Sequence, residues 1–454
     1  MANSDSLRWS GNRGGRDGDR AGAVWRPPPG KRGVFLLDRL VAVGQSGVRV
    51  RRLGGDRAGE IRITRFLRHA RVSAAEMVAT AAARTQGRVA GRHILAIQDT
   101  TSLRDDGQGK SMVLHPMIAV DALDGALLGL VHGEVLHRDG GLKTSRHQRA
   151  FEAKQSYRWL AGAQAAAALV EAGAACVTVV SDREGDIYED FACKPAGVEL
   201  LIRAAQDRAL ADGTRLFAGT EGLAPVGEMT VELAAAPGRA ARTARLALRV
   251  CRVALARPKS RPARGPAALP KRVEVTLVEA RELAPPAGEA AAHWRLLTTH
   301  AVAGLADAKR LVGFYRERWT IEQLFRVMKT KGFDIEASRV ADAPFANLAT
   351  ATLIAAVEVL QLVRDRDGTA RRPLHDVFDA ADQPALEAVG ATLEGKTDRQ
   401  KNPHPKGSLA YAAWVCARLG GWTGYYGKPG PVVMRSGLLQ FRAMAHGWKL
   451  GRLL

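Results

Sequence analysis

Short apolar runs bounded by polar punctuation alternate with longer stretches of helical period through most of the chain. HILAIQD (93–99) is compact and partly β-branched, and predicts a buried strand ending at Asp99. SMVLHPMIAVDA and ALLGLVHGEVLH flank Leu123-Asp124-Gly125, and Asp-Gly between two apolar runs predicts a hairpin. Residues 146–172 predict a long helix, and CVTVVSD (176–182) a second buried strand ending at Asp182. Upstream, Ser73 predicts the N-cap of an Ala-rich helix over 73–90. Between 209 and 290 the period changes to alternation, in MTVELA, ARLALRVCRVAL and RVEVTLVEA, which predicts a mostly-β region. Helical period returns over 306–331 and 342–365, and 370–454 mixes helix with a Gly/Pro-rich tail. Residues 1–54 are rich in Gly, Arg and Pro, break at PPPGKRG (27–33), and predict little packed structure.

Composition narrows the class. At 454 residues and 46% hydrophobic content the chain can build two or three cored domains. Lys and Arg number 67 against 46 Asp and Glu, a formal charge of +21, which points to a polyanionic partner, nucleic acid first. Cys176, Cys193, Cys251 and Cys416 stand singly with no C-x-x-C pair, which excludes a cysteine zinc site and predicts a reduced, cytoplasmic protein. The first residues carry no apolar segment of a secretory signal. AGAQAAAALVEAGAACVTVV is interrupted by Glu171, and no uncharged run of membrane-spanning length is visible, so no membrane partner is expected. DGQGKS (106–111) lacks the first glycine of a phosphate-binding loop.

The chemistry concentrates in three places. Tyr315, Arg318, Glu322, Arg326 and Lys329 follow spacings that place them on one stripe of a helix, while Phe314, Ile321, Leu324, Phe325 and Met328 fall on another. A lone carboxylate among cations is, taken alone, better explained as a solvated face with i,i+4 ion pairs. Asp99 and Asp182 change the odds, because an Asp just beyond a buried strand projects from the carboxyl edge of a sheet, where α/β sites are assembled. Asp99, Asp182 and Glu322 together supply hard oxygen ligands for Mg²⁺, with Mn²⁺ able to substitute, and two such ions support phosphodiester chemistry.

These residues carry a family resemblance. YRERWTIEQLFRVMK satisfies Y-x2-R-x3-E-x6-K at Tyr315, Arg318, Glu322 and Lys329, the signature of insertion-sequence DDE transposases of the Y-R-E-K, cut-and-paste type. QDTT (98–101) resembles the first-Asp block, SDREGDIYE (181–189) the second-Asp block, FEAKQSYRW (151–159) a basic-aromatic segment before it, and SLAYAAWVCARLGGW (408–422) part of the C-terminal domain. RFLRH (65–69) resembles a further block, with Thr64 and His69 at its Tyr and Asn positions, while the L-G-D-x-R helix that usually precedes it is not visible in residues 1–54.

The resemblance implies an α/β fold: an RNase H-like core interrupted by a mostly-β insertion, with helical N- and C-terminal regions. The expected divisions are 1–92 for DNA-end binding, 93–208 and 291–366 for the two parts of the core, 209–290 for the insertion, and 367–454 for a C-terminal region that is the candidate for dimerisation. It implies Asp99, Asp182 and Glu322 as catalytic metal ligands, with Tyr315, Arg318, Lys329, Arg326, Trp319, Trp294 and Arg203 on DNA. The two tryptophans are candidates for stacking on a flipped base, Trp294 equally for a core anchor. The implied activity is Mg²⁺-dependent cleavage at transposon ends and strand transfer into target DNA. It would run in a synaptic homodimer in the bacterial cytoplasm, associated with the nucleoid. The rivals are a nuclease without strand transfer and a non-catalytic DNA-binding derivative.

Overall fold

The computed structural model describes residues 29–42, 48–105, 111–138, 151, 154–235, 239–261, 268–329 and 332–451. The DGQGKS run lies outside these residues except for Ser111, as do residues 1–28 of the N-terminal region. Four helices come first: α1 (Pro29–Ala42), α2 (Val50–Gly54), α3 (Arg57–Leu67) and α4 (Ala74–Gln86). Strands β1 (His93–Gln98), β2 (Thr101–Asp105), β3 (Ser111–Asp121) and β4 (Leu127–Arg138) follow, then α5 (Tyr157–Glu171), β5 (Cys176–Ser181), α6 (Tyr188–Ala192) and β6 (Val198–Arg203). After β7 (Gly227–Leu233), β8 (Arg242–Ala256), β9 (Arg272–Glu282) and β10 (His293–Thr298) come α7 (Leu305–Glu317), α8 (Trp319–Met328), α9 (Asp342–Asp365), α10 (Gln383–Leu393), α11 (Leu409–Leu419) and α12 (Pro431–Gly451).

All ten strands join one mixed sheet, so the architecture is α/β. Its order is β2-β3-β1-β5-β6-β10-β9-β8-β7, with β4 on the other side of β3. β1, β5 and β6 run parallel, and the remaining pairings are antiparallel. The alternation along β1 decides the layers. Leu95 and Ile97 pack into one core with α7, α8 and α9, while Ile94 and Ala96 pack into another with Ala163, Ala166 and Leu169 of α5. The β-rich stretch expected at 209–290 is β7 to β9, and it is hydrogen-bonded through β10 to β6 rather than standing on a separate sheet. Gly125, at φ 71°, closes the β3–β4 hairpin in the left-handed region its lack of a Cβ permits.

Three expectations are corrected. Residues 29–42 and 50–54 are helical: α1 begins at Pro29, which suits a first helical turn, and Leu36, Leu40 and Leu53 are fully buried. The helix read over 146–172 begins only at Tyr157, and residues 139–150 and 152–153 lie outside those described. The helix read over 306–331 is two, α7 and α8, divided at Arg318 and ended at Met328. The helix expected over 342–365 is α9; its residues 343–365 are long and apolar enough to cross a membrane, yet 94% of its most apolar stretch is buried inside the protein. α9 is therefore a core helix, where each fully buried Leu or Phe contributes about 1.5–3 kcal/mol.

Candidate active site

Asp99 sits in an interruption of a strand. β1 and β2 lie end to end along β3, with Gln98 opposite Met117 and Thr101 opposite Leu114, a register that puts Asp99 opposite Pro116. The Asp99 N–H donates to the Pro116 carbonyl at 3.4 Å, but proline has no N–H to return. The ladder weakens there, and the Asp99 carboxylate instead accepts from the Thr100 N–H at 2.7 Å. Asp182 is placed by the neighbouring strand. Ile97 pairs with Val180 in the parallel β1–β5 register, which brings Asp99 and Asp182 level at the carboxyl edge. Asp182 then caps a short 3₁₀ turn (Arg183–Gly185), accepting from the Glu184 N–H at 2.8 Å.

The third carboxylate comes from the helices above this edge. Arg318, at the α7–α8 junction, donates from Nη1 to Asp99 Oδ2 at 2.7 Å and to Glu322 Oε1 at 3.3 Å, so one guanidinium spans Asp99 and Glu322. Burial pushes the Asp99 carboxyl up to about 7, reinforced by the negative charge of Asp182 and opposed by Arg318 and the Thr100 N–H. Burial alone would lower Arg318, but Tyr315, Asp99, Glu322 and Asp182 together hold it above its ordinary value. The edge is thus an excess of negative charge relieved by a side-chain cation.

That charge balance bears on a metal. Among the described residues no three His, Cys, Asp or Glu side chains stand close enough together to hold one ion. The donor chemistry nevertheless fits a hard divalent cation: two aspartates level on adjacent strands, one raised toward neutrality by burial and then by the charge of the other, and a glutamate joined to Asp99 through a cation. Mg²⁺ or Mn²⁺ would take over the charge balance that Arg318 provides.

The other expected site residues separate into groups. Tyr315 is not on an open stripe: it is 6% exposed and packs its ring against Trp294, with centroids 6.2 Å apart. Trp294 is a half-buried core neighbour, the anchor alternative rather than an open stacking face. Trp319 is exposed, and the Arg326 guanidinium lies 4.9 Å from its ring centre. Arg326 also lines, with Gln323, Arg364 and Arg366, a cavity of about 480 Å³ that contains none of the three carboxylates. Lys329 ends α8 and pairs with Glu336 at 2.9 Å. Arg203 closes β6, its guanidinium on the His293 carbonyl at 3.2 Å. The structure thus joins Asp99 to Glu322 through Arg318, sets Asp182 level with Asp99, buries Tyr315 against Trp294, and places Trp319, Arg326, Lys329 and Arg203 outside that contact. Sequence reasoning left Thr100, Arg158 and Glu184 without roles, although each lies in a quoted block.

Residues 177–357 match the family model of the transposase DDE domain. The match makes this stretch similar to that domain. It spans Asp182, Arg318 and Glu322 and begins after Asp99, which the β1–β5 register joins to it.

Proposed function

We propose that this protein is a DNA transposase that cleaves phosphodiesters at the ends of its element and joins the freed 3′ ends to target DNA. The observation that carries the reading is the Asp99–Arg318–Glu322 contact beside Asp182, at the carboxyl edge of two parallel strands. Asp99, Asp182 and Glu322 would hold Mg²⁺ or Mn²⁺. When bound, the divalent ions supply positive charge for activating the attacking oxygen and stabilising the leaving one. Asp99 must lose its proton to serve, and its raised affinity for that proton makes the free site sensitive to pH near 7. Arg318, once relieved of the carboxylates, is placed to hold a DNA phosphate, as a planar guanidinium does well. Lys329 and Arg326 extend positive charge along α8, and Tyr315 with Trp294 supports the helix from below.

The meander of β1, β3 and β4 followed by α5 and parallel β5 supports reading residues 93–208 and 291–366 as an RNase H-like core. Strands β7 to β9 would be its insertion. Two ends must meet in one complex, so a synaptic homodimer belongs to the proposal. Met444, Trp448 and Leu450, exposed on α12, make the C-terminal region the candidate contact.

The test is Glu322→Gln and Asp182→Asn on DNA carrying the element's ends. Each lowers Mg²⁺-dependent cleavage by about 10³-fold or more while end binding stays within about twofold. Retained cleavage in either variant sinks the assignment. Cleavage without joined product leaves a nuclease, and binding without cleavage in the parent protein leaves a DNA-binding derivative.

A further inference from the structure

Both aspartates are held by the backbone of a following residue, and one buried side chain ties those two residues together. The Thr100 N–H donates to Asp99 Oδ1 at 2.7 Å, and the Glu184 N–H to Asp182 Oδ1 at 2.8 Å. Arg158, in the first turn of α5, donates from Nε to Thr100 Oγ1 at 2.9 Å and from Nη2 to Glu184 Oε2 at 2.7 Å. Its third donor, Nη1, holds the Gln155 carbonyl at 2.6 Å. The arginine is 7% exposed and its guanidinium lies 5.2 Å from the Trp159 ring centre, so its fork is fixed on all sides. Behind it, Thr100 Oγ1 meets His115 Nδ1 at 2.9 Å, His115 Nε2 meets Gln98 Oε1 at 3.2 Å, and Gln98 Nε2 donates to Ser181 Oγ at 3.1 Å. That chain closes a ring between the last residues of β1 and β5.

We propose that Arg158 is a positioning residue that sets the separation and orientation of Asp99 and Asp182 by clamping Thr100 to Glu184. The inference rests on the reading of those aspartates as ligands of a divalent cation. Two parallel strands fix the heights of Asp99 and Asp182, but the backbone beyond each strand end is free to turn. A rigid two-pronged donor between the two turns removes that freedom before a cation arrives, and preorganisation of this kind is what a multidentate site requires. Lysine, a point charge on a flexible stem, cannot hold both acceptors in one plane. Arg158 touches neither aspartate directly, so it acts through Thr100 and Glu184 and not as a ligand.

The experiment is Mn²⁺ binding to the full-length protein without DNA, followed by electron paramagnetic resonance, for Arg158→Gln, Arg158→Lys, Glu184→Gln and Thr100→Val, with Asp99→Asn as reference. Arg158→Gln should weaken Mn²⁺ binding at least tenfold and broaden the bound spectrum. Arg158→Lys should recover only part of the loss. Glu184→Gln, on a half-exposed side chain that does not threaten folding, should weaken binding about threefold. The double variant Arg158→Gln/Glu184→Gln should be no worse than Arg158→Gln alone, because one clamp is being opened. Affinity for end DNA in EDTA should stay within twofold. If Arg158→Gln does not fold, Glu184→Gln and Thr100→Val decide. Mn²⁺ affinity unchanged in both, or in Arg158→Gln, overturns the clamp, provided Asp99→Asn abolishes binding. If Asp99→Asn also binds Mn²⁺ normally, the ligand reading itself falls and the clamp with it.

Discussion

β1 and β5 carry a polar cluster at each end, and the two clusters are built on opposite terms. At the amino edge, His93 Nε2 and His300 Nε2 both meet the Thr178 hydroxyl at 2.8 Å, and the His93 ring stands edge-on to Phe314 at 4.9 Å. Burial lowers both imidazoles, His300 to about 4, so both rings are neutral near pH 7 and share one hydroxyl. At the carboxyl edge, Asp99, Asp182 and Glu322 concentrate negative charge, and backbone N–H groups and Arg318 relieve only part of it. A cluster whose groups complete one another stabilises the fold. A cluster that keeps oxygen lone pairs in reserve beside a displaceable cation is fitted to take a ligand.

Changes at the two edges should therefore separate function from stability. The largest effect is expected for Arg318→Ala. It should lower end cleavage about 10²-fold through loss of a charge-assisted phosphate contact, yet tighten Mn²⁺ binding to the free protein because the competing cation is gone. Calorimetric titration reads the second half, and weaker Mn²⁺ binding would mean that Arg318 supports the ligands instead of competing with the ion. Thr178→Val comes next: it removes the shared hydroxyl and should destabilise the protein by about 1–2 kcal/mol in urea unfolding. Cleavage per folded molecule should stay within twofold, and a loss comparable to that of Arg318→Ala would erase the distinction between the edges.

The smallest effect is in pH dependence, where the edges have opposite signs. Asp99 has its proton affinity raised by folding, from the ordinary carboxyl value of 3.8 to about 7. Its contribution to stability is therefore full below about pH 4 and is lost as pH rises through about 7. His300 is lowered by folding from 6.5 to about 4, so its contribution is full above pH 6.5 and is lost as pH falls through about 4. Asp99→Asn should accordingly compare more favourably with the parent in melting temperature at pH 8 than at pH 5. A difference independent of pH would show that Asp99 ionises normally in the fold.

Much of the carboxyl edge was legible without coordinates, and the reason is local. HILAIQD and CVTVVSD are short apolar runs that can only be buried strands, and an Asp following each has nowhere to point but the edge. The Ser73 cap, the Asp-Gly hairpin and α9 were equally local, each set by turn chemistry or a period within one segment. Reading failed where distant residues decide. Tyr315 fits a helical stripe with Arg318 and Glu322, but the chain turns at Arg318, and burial against Trp294 puts the tyrosine in the core. Residues 29–54 look too rich in Gly and Arg to pack, yet α1 buries Leu36 and Leu40 where it meets α9 and α12, contributed from far along the chain, as well as α2 and α3.

The sequence alone marked β1, β5, the β3–β4 hairpin, α9, the three carboxylates and the basic excess, because period, turn residues and charge are written within short windows. Tertiary structure alone decided that Asp99 and Asp182 lie level, that Arg318 reaches Asp99, and that Arg158 ties the two aspartate turns together. Those facts depend on strand register, on the Asp99–Pro116 pairing and on contacts between residues as far apart as 99 and 318, which no local pattern can encode.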